Sequence, residues 1–361
     1  MTKASGNRTR RTRIADVARE AGVSKTAVSF AFNSPDRLNS ETATRIREVA
    51  DSLGYRPDPV ARLMTQARTM SIGILTPRQL AAVFANPFYA EFTVGVGRAA
   101  EASGLSVSLI SPLHGSLANA VGRAIVDGVV AIGLAADHPE VEEIRRAGLP
   151  LVLVDSAALP DVSSIDIDDE GSARAAAEHL LGLGHRDFLV VGFEPPLPAG
   201  IPGSEGIFGT RLRGYRAALA AAGIDLPDSR VVFGPADPEG GLAAFERAWE
   251  DGLRPTAVLA MSDAMALGVL RAAGRLGLAV PGDLSVVGFD GIELGRYANP
   301  PLTTIHQPIA RKGEEAVRIL LSLVDGQEPA RAEHLRLETR LVIRGSSGPV
   351  PARRQEVTTA R

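Results

Sequence analysis

The chain has 361 residues, 45% of them hydrophobic, enough to build more than one domain with a real core. It has no cysteine, which excludes disulfides and thiolate metal sites, and it lacks the run of about 18 apolar residues that would span a membrane. Residues 1–70 carry 13 Lys and Arg against 7 Asp and Glu, and the remainder 26 against 35, so the net charge of −3 hides a basic head suited to a polyanion.

In chain order, residues 1–12 are polar and basic and read as a flexible tail able to touch phosphates. Arg13 to Asn33 reads as two short helices joined by a tight turn. Ile14, Val17, Ala18 and Ala21 form an apolar stripe at helical spacing. Gly22 suits a helix C-cap, Val23 plugs the turn, and Ser24 can N-cap the second helix. On that helix Ala27, Val28 and Ala31 face inward, leaving Lys25, Thr26, Ser29 and Phe30 outside near its start. This is the layout of a helix-turn-helix, whose second helix enters the DNA major groove. Asn33-Ser34-Pro35-Asp36 marks a loop. Ser40 is expected to cap a third helix whose buried face is Ala43, Ile46, Val49, Ala50 and Leu53, ended by Gly54. After Tyr55-Arg56-Pro57-Asp58-Pro59, Val60–Gln66 is expected to form a short helix, too short to be stable alone in water.

From Ser71 short β-rich runs alternate with amphipathic helical runs. Strands are expected at 71–76, 106–110, 128–134, 151–155, 187–192, 257–261 and 284–289. Helices are expected at 89–103, 141–147, 171–183, 211–222, 240–249, 263–276 and 311–324. Alternating βα units imply parallel sheets with helices on both faces. The number of units favours two similar α/β lobes with a cleft at the carboxyl ends of the strands. Gly95-Val96-Gly97 lies within an expected helix and so is not a dinucleotide loop. Asp166–Glu170 reads as a strand end feeding a helix whose positive N-terminus favours carboxylates. The six histidines show no metal spacing, and no nucleophile elbow or P-loop is present, so neither a metal nor an enzyme is expected. After Arg344 the chain turns Gly/Ser/Pro-rich, and 346–361 is expected to be a disordered tail.

The run Ile14-Ala15-Asp16-Val17-Ala18 through Ala21-Gly22-Val23-Ser24 to Val28-Ser29 and Asn33 resembles the LacI/GalR-type family of transcriptional regulators. So do Leu53-Gly54-Tyr55-Arg56-Pro57, Asn86-Pro87-Phe88-Tyr89, Arg211-Leu212-Arg213-Gly214-Tyr215, Gly288-Phe289-Asp290 and Leu302-Thr303-Thr304-Ile305-His306-Gln307-Pro308. The resemblance covers about residues 13–345. It implies an all-α helix-turn-helix domain (13–56), a hinge helix and linker (57–70), and a two-lobed, periplasmic-binding-protein-like sensor (71–345). The N-lobe is expected at about 71–165 and 300–328, and the C-lobe at about 166–299 and 329–345.

It further implies a cytoplasmic homodimer on a near-palindromic double-stranded operator, a small effector such as a sugar in the interlobe cleft, and no membrane. DNA contacts are implied for Ser24, Lys25, Thr26, Ser29, Phe30 and Asn33, and, from the hinge, Ala61 and a minor-groove wedge at Met64. Phe30 stands where many members carry arginine, and an aromatic can pack on a thymine methyl but cannot read guanine by bidentate bonds. Effector contacts are implied for Phe88, Tyr89, Asp155, Arg211, Ser262 and Asp290, while Ala236 falls where some members place a stacking aromatic. The alternative reading is a solute-binding protein of the same two-lobed fold.

Overall fold

The computed structural model describes residues 12–56, 68–134, 138, 140–146, 148–156, 159–193, 206–326 and 331–350. The chain divides into two compact units, Met1–Thr69 and Met70–Arg361. The expected hinge helix, with Ala61 and Met64, lies outside the described residues.

The first unit holds three helices, α1 (Ile14–Glu20), α2 (Lys25–Asn33) and α3 (Ser40–Ser52). Arg13 stands at the N-cap of α1, where its backbone N–H donates to the Asp16 carboxylate at 3.0 Å. Thr12 instead donates its hydroxyl to the Leu53 carbonyl at 2.9 Å, tying the segment before α1 to the end of α3. Gly22 (φ +64°) makes the left-handed turn, and the Ser24 hydroxyl accepts from Ala27 N–H at 3.0 Å to start α2. The cap of α3 is Asn39, not Ser40: its carboxamide oxygen accepts from Thr42 N–H at 2.7 Å, and Ser40 is already helical. Val17, Val28, Ala31 and Ile46 form the centre of the core. Leu53, expected inside, is exposed because the helix ends there, and Tyr55 fills the space, its ring 5.9 Å from that of Phe32.

The second unit begins with β1 (Ser71–Leu75), α4 (Leu80–Ala85), α5 (Pro87–Ala102), β2 (Ser106–Ile110), α6 (Leu117–Val121), β3 (Gly128–Ile132), α7 (Val141–Arg146), β4 (Leu151–Val154) and β5 (Ser163–Ile167). It continues with α8 (Asp169–Gly182), β6 (Phe188–Phe193), α9 (Gly206–Ala221), β7 (Val231–Gly234), α10 (Pro238–Glu250), β8 (Ala257–Ala260), α11 (Asp263–Arg275) and β9 (Ser285–Asp290). The last elements are β10 (Thr303–His306), α12 (Ile309–Val324), β11 (His334–Leu337) and β12 (Arg340–Val342). They form two six-stranded sheets, ordered β11-β5-β4-β3-β1-β2 and β12-β10-β9-β8-β6-β7. Every strand pair is parallel except β10 with β12. Residues on both faces of β3, β4, β8 and β9 are buried, as sheets covered by helices on each side require. Helices α5 and α12 pack together on the first sheet, and α8 with α9 on the second.

The lobe boundaries expected from sequence need correction at three places. β5 extends the first sheet to Ile167. β10 pairs in parallel with β9, so the segment from 300 to His306 belongs to the second sheet. β11 pairs in parallel with β5, so His334–Leu337 belongs to the first. Among the described residues the chain therefore crosses between lobes near 168, at 307–308 and at 338–339. The tail boundary also moves. Val286 N–H donates to the Ser346 carbonyl at 2.7 Å, Ser346 Oγ donates to the Val286 carbonyl at 2.6 Å, and Val350 N–H donates to the Leu183 carbonyl at 3.0 Å. Residues 346–350 are thus bonded into the second lobe, and 351–361 lie outside the described residues.

Candidate effector cleft and DNA-reading helix

The two lobes enclose a cleft of about 920 Å³ at the carboxyl ends of their strands. In the matching sheet orders β4 and β9 occupy equivalent places, and an aspartate lines the cleft at the carboxyl end of each, Asp155 just after β4 and Asp290 as the last residue of β9. Both are buried and both have positive φ, +55° and +123°, a conformation that costs a non-glycine residue about 1–3 kcal/mol. Asp155 is paired with the Lys312 ammonium from α12. Asp290 accepts from Gln307 Nε2 at 2.7 Å and faces Arg211 Nη1 at 3.7 Å.

Arg211, on α9, is fixed on three sides. Its Nε donates to Asp169 Oδ1 at 2.8 Å, its Nη1 donates to the Met261 carbonyl at 2.5 Å, and its guanidinium carbon lies 3.6 Å from the centre of the Phe289 ring. Burial works against its charge, but Asp169 and Asp290 outweigh that and raise its pKa. For Asp290 burial prevails over Arg211 and pushes the carboxyl up to about 8. Asp263, fully buried behind it, accepts from Gly291 N–H (2.8 Å), Ile292 N–H (2.9 Å) and the Thr304 hydroxyl (2.5 Å), and so holds the turn that presents Asp290. Burial pushes Asp263 up to about 6 against those three donors.

Asn86 caps α5 through Phe88 N–H at 3.0 Å and brings Phe88 and Tyr89 to the cleft, their rings edge to face at 5.5 Å. Burial raises the Tyr89 hydroxyl pKa. Ser262 lines the cleft while its hydroxyl accepts from Met265 N–H at 3.2 Å, which leaves its own O–H to donate. The six expected effector residues, Phe88, Tyr89, Asp155, Arg211, Ser262 and Asp290, thus all lie around one cleft. Ala236 lines it too, and aromatic surface comes instead from Phe193 and Phe208, their rings 6.4 Å apart. Sequence reading passed over Asp169, Asp263, Gln307 and Lys312. Asp169 had a signal, its place at the first turn of α8, but its partner lies 42 residues away on α9. Asp168, next to it, caps α8 through Gly171 N–H at 2.9 Å, and among the described residues no cluster of acidic and histidine side chains could hold a metal.

On the first unit, Lys25 and Thr26 stand exposed at the start of α2, with Ser29 and Phe30 half-buried beside them. Asn33 is the last residue of the helix. Arg37 lies over the Phe30 ring at 5.3 Å, an exposed cation next to the expected reading face that sequence reading did not include. Arg47 donates twice to the Ala31 carbonyl, at 3.2 and 3.1 Å, and so fixes α3 to one of the free carbonyls in the last turn of α2.

A helix-turn-helix reader and a two-sheet cleft receptor on one chain define the class of ligand-responsive DNA-binding regulators. Residues 13–58 match the family described as bacterial regulatory proteins, lacI family, and residues 177–347 match the periplasmic binding protein-like domain. The HTH-type transcriptional regulator CelR of Thermobifida fusca is 33% identical over 348 residues, covering 94% of this chain and 99% of that protein. Among solved structures, a CelR–cellobiose complex is 31% identical with a TM-score of 0.68, covering 93% of this chain and all of that one. The lac repressor dimer bound to operator and the anti-inducer ONPF is 26% identical with a TM-score of 0.77, covering 94% of this chain and all of that one. The chain belongs to the lacI family of transcriptional regulators.

Proposed function

We propose that the protein is a homodimeric, cytoplasmic, non-enzymatic repressor that binds a near-palindromic operator through Ser24, Lys25, Thr26, Ser29, Phe30 and Asn33. A neutral polyhydroxylated ligand, a sugar in the first place, binds among Phe88, Tyr89, Asp155, Arg211, Ser262 and Asp290 and controls operator affinity. The observation that carries this reading is the floor of the cleft. Two carboxylates from opposite lobes and one guanidinium face a space flanked by aromatic rings, and such groups grip hydroxyls through charge-assisted bonds. The sugar in the CelR–cellobiose complex supports the ligand class, and the operator in the lac repressor complex supports the DNA partner. Ala61 and Met64 are proposed as the hinge contacts to the minor groove. The described residues contain no helix long and apolar enough to cross a membrane.

The test is fluorescence anisotropy of the full chain on a labelled duplex from the region upstream of its own gene, over a range of salt. Binding with a steep salt dependence is expected, and the absence of binding at every salt concentration refutes the DNA reading. A thermal-shift screen against sugars, polyols and nucleobases tests the cleft. Stabilisation by a sugar is expected, and stabilisation only by a nucleobase or by nothing refutes the ligand class.

A further inference from the structure

The chain has three lysines against 36 arginines, and one of the three, Lys312, is completely buried. Its position is unusual on two counts. On α12 it falls between Ile309 and Ala316 on the face that packs into the core, where helical spacing asks for an apolar side chain. It also lies within the first turns of the helix, where the backbone dipole opposes a cation. Lysine is almost never fully buried unless paired, and this one has two partners: its ammonium donates to Asp155 Oδ1 and to Gln307 Oε1. The other end of the same carboxamide, Nε2, donates to Asp290. An unbroken polar line therefore runs from Asp155 on the first lobe through Lys312 and Gln307 to Asp290 and Arg211 on the second. Gln307 sits in one of the segments where the chain crosses between lobes.

We propose that Lys312 is a built-in counter-ion that occupies the cation partnership of Asp155, excludes ammonium-bearing effectors from that end of the cleft, and joins the lobe carboxylates through Gln307. The inference rests on the reading of the cleft as the effector site, and deepens it by assigning the residue that sets the charge of the ligand. Asp155 is spoken for on its Oδ1 and keeps a place in the cleft wall. A ligand hydroxyl can donate to it, whereas a ligand ammonium meets a carboxylate already neutralised with a positive charge behind it. The backbone of α12 cannot shift to release the lysine, because Gly95 and Gly313 bring α5 and α12 into backbone contact on either side of it.

The test is chemical rescue in the full chain, which needs neither the effector nor the operator, so its failure leaves the repressor reading untouched. Lys312→Ala removes the ammonium and leaves room for one. The expected result is a fall in thermal midpoint on the order of 5–10 °C. At least half of it should be recovered by about 50 mM n-propylammonium chloride, whose added ionic strength screens exposed charges but buried pairs much less. Neither sodium chloride nor 1-propanol at the same concentration should restore it. The variant should also bind D-glucosamine roughly tenfold more tightly than the unsubstituted chain, and lose that gain when Asp155→Asn is added. Equal recovery with sodium chloride or propanol, or no recovery at all, overturns the proposal, as does rescue that persists without Asp155. Should Lys312→Ala not fold, the neutral, volume-matched pair Asp155→Asn with Lys312→Met is expected to fold, since no unpaired charge remains. Failure of both also overturns it.

Discussion

Two glycines on α5, two residues apart, are expected to respond to the same substitution with opposite signs. A Cβ added at Gly95 would stand 1.8 Å from the Ala310 carbonyl oxygen of α12, with the Ala310 carbonyl carbon and Cα at 2.6 and 2.9 Å. No side-chain motion relieves that contact, because every atom met is backbone. The helices must separate by more than an ångström, which opens the seam that Phe92, Val96, Ala316 and Leu320 now fill. Overpacking alone costs about 1–3 kcal/mol, and lost packing along the seam places Gly95→Ala at the upper end, about 3 kcal/mol. For a unit of this size that is a fall in thermal midpoint of roughly 6 °C. A Cβ at Gly97 meets nothing within 4 Å, so Gly97→Ala only gains helix propensity, about 0.5–1 kcal/mol of stabilisation. Urea unfolding of both variants, followed by circular dichroism at one temperature, separates the two. The packing argument fails if Gly95→Ala stays within 0.5 kcal/mol (about the error of such extrapolations) of the unsubstituted chain, or if the two variants shift in the same direction.

Four further outcomes are expected. Arg47→Ala deletes both bonds to the Ala31 carbonyl and should destabilise the helix-turn-helix unit by about 1 kcal/mol, seen as faster hydrogen exchange of α2 amides; unchanged exchange refutes the tie. Lys25→Ala should weaken operator binding and lower the slope of log affinity against log salt by about 1, and an unchanged slope removes Lys25 from the phosphate contacts. Arg211→Met leaves the half-buried Asp169 and the buried Asp290 without their cation and should cost about 3–5 kcal/mol in urea unfolding, whereas a loss under 1 kcal/mol would mean the carboxyls are satisfied without it. The pH dependence has two opposed parts. Asp263 and Asp290, with folded pKa values raised by burial, contribute stability that is present at low pH and lost as pH rises through about 6 and about 8. His185, buried between Thr256, Ser285 and the Gly348 carbonyl, has its pKa lowered by burial, so its contribution is present above about 6.5 and is lost as pH falls. His185→Gln removes the second part alone. Its stability relative to the unsubstituted chain should therefore rise between pH 7.5 and pH 5.5 (a window about one unit either side of the free imidazole value), and a flat difference refutes the assignment.

What could be read from sequence was local. The turn at Gly22, the Ser24 cap and the apolar stripe of α1 lie within twelve residues of one another, and local chemistry decides them. The buried strands β3, β4, β8 and β9 announced themselves as short apolar runs. β11, with the sequence His-Leu-Arg-Leu, did not, because it is an edge strand with exposed polar positions and pairs with β5 from a distance of 170 residues along the chain. That same long-range pairing is why the lobe to which β11 belongs could not be placed from sequence. Lys312 was hidden for the opposite reason. Periodicity takes a charge on a core face as a break in the pattern, whereas here the charge is part of the core because Asp155, 157 residues earlier, arrives beside it.

The two cleft aspartates connect these levels. Each stands at the end of an equivalent strand in a backbone conformation that glycine would adopt without penalty, and each is buried where its charge is unfavourable. The surrounding structure holds them there all the same, Asp155 through Lys312 and Asp290 through Gln307, Arg211 and the turn fixed by Asp263. The supports differ: an ammonium on one lobe, a guanidinium and a carboxamide on the other. A ligand that reaches both aspartates would therefore meet two carboxyls of similar placement but different partners, Lys312 against Asp155 on the first lobe and Arg211 and Gln307 against Asp290 on the second. The two ends of the cleft are thus backed by different cations, a point-like ammonium and a planar guanidinium, which gives the cleft a direction as well as a shape.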